Sequence, residues 1–216
     1  MRILIWLTLF AVAMAYVEAA LVVHLRQLYY ADNVQAIFPL KLLSHSDLAI
    51  ELFREVATIV MLLAVAMLAQ RDNGRRFAAF VYSFGVWDLA YYGFLKILID
   101  WPQTWLEWDV LFLIPWPWFG PWMTPAAIAL LFTVWGAWIL CTEFQPRFNW
   151  LSGSLFVAGA LLALTAFLLP AARLLPQGET AFLGYAPDKF AWGLYLPGLL
   201  SMAVGLISTV RVKSKV

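Results

Sequence analysis

Residues 47–69, DLAIELFREVATIVMLLAVAMLA, decide the fold. At about 1.5 Å per helical residue this run is long enough to cross the ~30 Å hydrocarbon core of a bilayer. Its second half has no ionisable side chain, whereas its first half carries Glu51, Arg54 and Glu55. A charge at mid-membrane costs at least ~2.5–3.5 kcal/mol, so three of them predict a helix with one face turned toward protein or water. Steps of ~100° per residue place Glu51, Arg54 and Glu55 on one side of that helix.

Working outward, similar runs occupy 3–25, 77–99, 121–141, 151–170 and 191–210. The reading is an all-α, polytopic transmembrane bundle of six spans, with residues 1–216 forming a single integral membrane domain. Composition agrees: of 216 residues 64% are apolar and 12% charged, and the mean hydropathy is +0.82. A soluble surface needs roughly 25–35% charged residues, so a soluble domain is excluded. The start resembles a secretory signal, with Arg2 before an apolar run, but apolar character resumes after Glu18 and continues to Leu25, which predicts a retained span. Between 99 and 121 lies a different stretch, rich in Pro and Trp. Its core, 110–119, is apolar yet too short to span, and Pro115 and Pro117 remove helix donors. It is expected to be re-entrant or interfacial, before the fourth helix, with its backbone shielded by protein or water. Six of the twelve Trp fall between 101 and 122, the composition of an aromatic belt at a lipid interface.

Orientation follows from the basic residues of the connections. Arg2, Arg71, Arg75, Arg76, Arg147, Arg211, Lys213 and Lys215 fall on one side, and Arg26, Lys41, Arg173 and Lys189 on the other. The positive-inside rule then predicts both termini on the cytoplasmic face, in a bacterial cytoplasmic membrane. Asn73-Gly74 predicts a tight turn between the second and third helices.

Net charge is +1 and the basic residues are scattered, which excludes a nucleic-acid partner. Cys141 is the single cysteine, so there is no intrachain disulfide and no cysteine zinc site. With the N-terminus inside, Glu18, Glu51, Arg54, Glu55, Asp88 and Lys96 share the outer half of the first three helices. Asp88, Tyr91, Tyr92 and Lys96, at offsets of three, four and eight, form one stripe on the third helix. The expected ligand-binding set is Glu51, Arg54, Glu55, Asp88, Tyr91, Tyr92, Lys96 and Asp109. Glu51, Glu55 and Asp88 are the candidates for acid–base catalysis. His45, Glu51, Glu55 and Asp88 offer the donor types for a divalent metal. The order Glu51-x-x-Arg54-Glu55 is not the EExxxR signature of intramembrane proteases, and ceramidase-like hydrolases need helix histidines that are lacking.

Acids outnumber bases in this cluster, and the surplus points beyond packing, to a proton, a cation or water. The favoured expectation is a membrane protein whose carboxylate-rich pocket binds a small polar headgroup, an amphiphile or an ion, as a subunit of or partner in a membrane assembly. Membrane lipid is then its natural partner. The fifth and sixth helices have cores without ionisable groups and small-residue pairs such as Ser154/Ala158, Gly159/Ala163 and Ser201/Gly205, a face for other membrane subunits. Two alternatives remain open: an outer-leaflet enzyme acting on an amphiphile by acid–base or metal-assisted chemistry, and a proton-coupled transporter with Asp88 as its carrier.

Overall fold

The computed structural model describes residues 2–210. Within them the chain forms six α-helices: α1 (Arg2–Tyr29), α2 (His45–Ala69), α3 (Asn73–Ile99), α4 (Met123–Cys141), α5 (Trp150–Leu174) and α6 (Trp192–Ser208). Four stretches, Arg2–Tyr29, His45–Ala69, Met123–Cys141 and Trp150–Gln177, are long and apolar enough to cross a membrane. Large apolar side chains on these helices are exposed, among them Phe53, Leu68, Val134 and Leu161. A surface of that kind belongs in lipid, and the chain is an integral membrane protein. α3 matches the others in length but carries Arg75, Arg76, Asp88 and Lys96, and α6 is apolar but shorter. Of the basic residues expected to set orientation, Arg211, Lys213 and Lys215 lie outside the described residues.

The connections depart from the sequence reading at three points. Asn73-Gly74 is not a turn: Asp72 caps α3 through its side chain, which accepts from the Arg75 N–H at 3.1 Å, and Asn73 and Gly74 already belong to the helix. Glycine is needed at 74 for close approach, because a Cβ there would lie 2.4 Å from the Pro146 carbonyl. Arg75, expected as a free loop charge, donates to the carbonyls of Ile139, Leu140, Thr142 and Phe144 at 3.0–3.3 Å. It satisfies the orphan acceptors at the end of α4. The third departure is the Pro/Trp stretch. It folds as an antiparallel hairpin of β1 (Trp108–Val110) and β2 (Phe119–Pro121), with Asp109 opposite Gly120. Main-chain bonds from Leu111 to Trp118 and from Trp118 to Phe112 continue the pairing toward the tip.

Helix α3 is central, packing on α1, α2 and α4, while α5 packs closely on α6 and α4 bridges to α6. Opposite the hairpin the helices close on one apolar core, including Leu7, Ala66, Tyr82, Trp135, Ile139 and Leu206. Small residues permit this closeness: a Cβ on Gly85 would lie 2.4 Å from the Ala129 carbonyl, and one on Gly159 would lie 2.5 Å from the Gly198 carbonyl. Gly159/Ala163 and Ser201/Gly205 therefore join α5 to α6 and are not free for another subunit, and the Ser201 hydroxyl donates to the Leu155 carbonyl at 2.8 Å. Ser154 and Ala158 remain exposed. Toward the hairpin end the helices diverge, and α2 meets α1 and α3 but, among the described residues, no part of α4, α5 or α6.

Candidate functional site

The inward stripe of α2 is Glu51, Glu55, Thr58, Leu62 and Ala66, at helical spacing, polar at its first turns and apolar after. Counted from the hairpin end, Glu55 on α2, Glu18 on α1 and Asp88 on α3 lie at a common depth of ~15 Å at 1.5 Å per residue. Charges from three helices thus meet at one level.

Arg54 holds two of them. Its guanidinium lies against Glu51 at 2.8 Å and also pairs with Glu18, to which Thr58 donates at 3.4 Å. These side chains are mostly buried, so the forked guanidinium offsets two carboxylates that water reaches poorly. Glu55 does something else: both its oxygens accept the Leu113 backbone N–H, at 2.9 and 3.0 Å. Leu113 stands at the hairpin tip, so the Pro/Trp segment descends into the bundle to the third turn of α2. Its free backbone donor is met by a carboxylate instead of solvent. Phe112 packs on Trp87 of α3, and Trp118 stacks on Phe167 of α5 with ring planes 8° apart. The tip therefore touches α2, α3 and α5 together. Gly120 sits where a Cβ would be 2.9 Å from the Phe167 ring, which explains the glycine in a strand otherwise of Phe and Pro.

Asp109, in β1, is buried and accepts from the Tyr92 hydroxyl at 3.1 Å and from the Val110 N–H at 2.9 Å. Its counter-charge is Arg26, 3.7 Å away and equally buried, whose guanidinium lies over the Trp101 ring at 4.3 Å from the centroid. Burial raises the Asp109 pKa to about 6, with Arg26 and Tyr92 opposing the rise. The apolar run 3–25 predicts Arg26 in a loop. It falls instead in the last turn of α1, which runs to Tyr29, four residues past the predicted end. The detectable signal is an acid, Asp109, at the edge of an apolar run, 109–119, that has no base of its own.

Asp88 is the exception among the acids. It is buried, and its Oδ2 has no hydrogen-bond partner among the described residues. Tyr91 and Tyr92 follow it on the same face, with ring centroids 5.2 Å apart.

Glu18, Arg26, Glu51, Arg54, Glu55, Asp88, Tyr91, Tyr92 and Asp109 all line one cavity of about 920 Å³. Its depth is apolar: Phe84, Phe132, Ala160, Ala163, Phe167 and Met202 form the walls beyond the charges. Its roof is the connection 30–44, anchored by the Tyr30 hydroxyl, which accepts from the Lys41 N–H at 2.8 Å, and by a reciprocal main-chain pairing of Leu40 with Gly184 and Tyr185. Tyr29 donates to Asp47 and accepts from the Ser44 N–H at 3.1 Å, tying the same connection to the start of α2.

The structure thus brings together Glu51, Arg54, Glu55, Asp88, Tyr91, Tyr92 and Asp109, with Glu18. Lys96 does not join them. It is half exposed, 2.6 Å from Asp100 and 3.0 Å from the Pro102 carbonyl. Asp100 ends α3 in the left-handed region (φ 54°), and a lysine in a last helical turn lies near the carbonyl ends it neutralises. His45, though on the cavity wall, does not converge with Glu51, Glu55 and Asp88. Among the described residues no three His, Cys, Asp or Glu side chains are placed to hold a metal ion, and the expected ligand set does not fit one. Comparison with known proteins gave no matching family model, no matching curated protein and no matching solved structure.

Proposed function

We propose that this chain is a six-span protein of the bacterial cytoplasmic membrane, with both termini inside, whose outer-half cavity binds a membrane amphiphile. The observation that carries the reading is the cavity itself: about 920 Å³, charged and tyrosine-lined at one level, continuous with an apolar depth. A headgroup would take the first region and an acyl or alkyl chain the second, an arrangement that suits neither a free ion nor a water-soluble metabolite. α2 and α5 both line the cavity without meeting, and the hairpin tip touches both. A lipid-borne ligand would reach the cavity between these two helices, past the hairpin tip. The orientation is supported by Arg2, Arg71, Arg76 and Arg147 at one end against Lys41, Arg173 and Lys189 at the other.

The apolar core that closes the opposite end of the bundle supports binding over proton-coupled transport, which needs a polar path through Leu7, Ala66 and Trp135. Asp88, with an unpartnered oxygen beside the headgroup region, favours one second reading, acid–base chemistry on the bound amphiphile. The test is native mass spectrometry of protein released from lipid nanodiscs. The wild-type protein should retain one amphiphile per chain, and Ala160→Trp or Leu164→Trp, each filling the apolar depth, should lose it while remaining folded. Equal retention in all three would refute the reading.

A further inference from the structure

Among the buried acids of the cavity, the hydrogen bonds leave one unmatched. Glu18 and Glu51 share Arg54, Glu55 receives the Leu113 N–H, and Asp109 has Arg26, Tyr92 and its own strand. Asp88 is more than nine-tenths buried, lines the cavity, and keeps Oδ2 without a donor among the described residues. A buried carboxylate oxygen without a partner forfeits its hydration with no return, so a ligand that supplies a donor there gains what folding left unmet.

The position of Asp88 identifies where on the ligand that donor must be. One turn below it on α3 stands Phe84, at the start of the apolar depth; one turn above stand Tyr91 and Tyr92. Asp88 therefore marks the boundary between polar and apolar walls, and the group that meets it is the one bonded directly to the hydrocarbon chain. The rings of Trp87, Tyr91 and Tyr92 border the same place, and aromatic faces attract cations. A phosphate or carboxylate at that point would stand against Asp88 itself. The remaining unpartnered cationic donor, Arg26 Nη1, belongs to a guanidinium beside Asp109 and Tyr92, nearer the roof. It is suited to an acceptor farther along the headgroup and not at the chain junction.

We propose that the cavity selects a long-chain amine, an amphiphile whose ammonium sits at the head of its alkyl chain, with Asp88 as the counter-ion. This rests on the amphiphile reading above and makes it narrower. Isothermal titration of the detergent-purified full chain with decylamine, decanol and decyl phosphate separates the two. The expected result is decylamine bound at least about tenfold more tightly than decanol, and decyl phosphate weakest. Asp88→Asn should bring decylamine to within about threefold of decanol, and Asp88→Glu should restore part of the preference. If decanol or decyl phosphate binds as well as decylamine to the wild-type protein, the amine assignment falls while the amphiphile reading stands. If none of the three binds, both fall. The comparison on the wild-type protein decides the matter even if Asp88→Asn does not fold.

Discussion

Arg54 shows how much a single side chain does here. It is the shared counter-charge of Glu18 and Glu51, and neither acid has another cation against it among the described residues. Removing one partner of a buried ion pair costs about 3–5 kcal/mol, because the remaining charge is left unmatched. Arg54→Met should therefore lower the thermal unfolding midpoint in detergent markedly. Arg54→Lys should recover only part of the loss, since a point ammonium cannot fork to two carboxylates. Full recovery with lysine would show that charge, and not the fork, holds α1 to α2. At this scale the sequence was informative about which residues are out of place in lipid and less so about their partners. Glu51, Arg54 and Glu55 could be assigned to one face by counting. Arg26 could not, because a hydropathy window ends where charge begins, and α1 continues past that point to carry Arg26 into the protein. Its offset from Asp88 predicts Lys96 in the site, but the carbonyl end of α3 and Asp100 hold it outside.

Among the elements, the helices were legible and the hairpin was not. Apolar runs of helical length announce themselves, and α1 to α6 appear within a few residues of their expected bounds. Strands of three residues carry no period, and proline argues against a ladder unless it stands at the end of a strand, as Pro121 does. What the composition did convey was a non-helical segment that must be sheltered, and the shelter proves to be Glu55 at its tip. A hydrogen bond to a charged group contributes about 1.5–3 kcal/mol. Glu55→Ala should accordingly raise hydrogen exchange across 111–118 by roughly 10- to 100-fold, while exchange in α3 and α4 stays as before. Glu55→Gln, which keeps a carbonyl acceptor, should show a smaller effect. Equal exchange in Glu55→Ala and wild type would mean that the tip is held by its own main-chain pairing and by Trp118 and Phe112, without Glu55.

For the whole molecule, the fold has two unlike ends. One is closed by small residues and rings at contact distance, around Gly85, Gly159 and Trp135. The other opens into a cavity under the roof of connection 30–44, and the hairpin plugs the space where α2 parts from α5. Sequence periodicity could assign the polar stripe of each helix but could not reveal a volume, because a cavity is a property of how helices diverge and not of any one face. It also could not show that the small residues of α5 and α6 serve each other. The central claim is that this volume receives a hydrocarbon chain from the bilayer. The most direct measurement is photolabelling in nanodiscs with a long-chain amine bearing a diazirine on its alkyl chain, followed by peptide mapping. Labels at Phe84, Phe132, Ala160 or Phe167 that disappear when unlabelled amine is added are the predicted result. Labels confined to the outward residues Val60, Leu161 and Val204, unaffected by competitor, would contradict it.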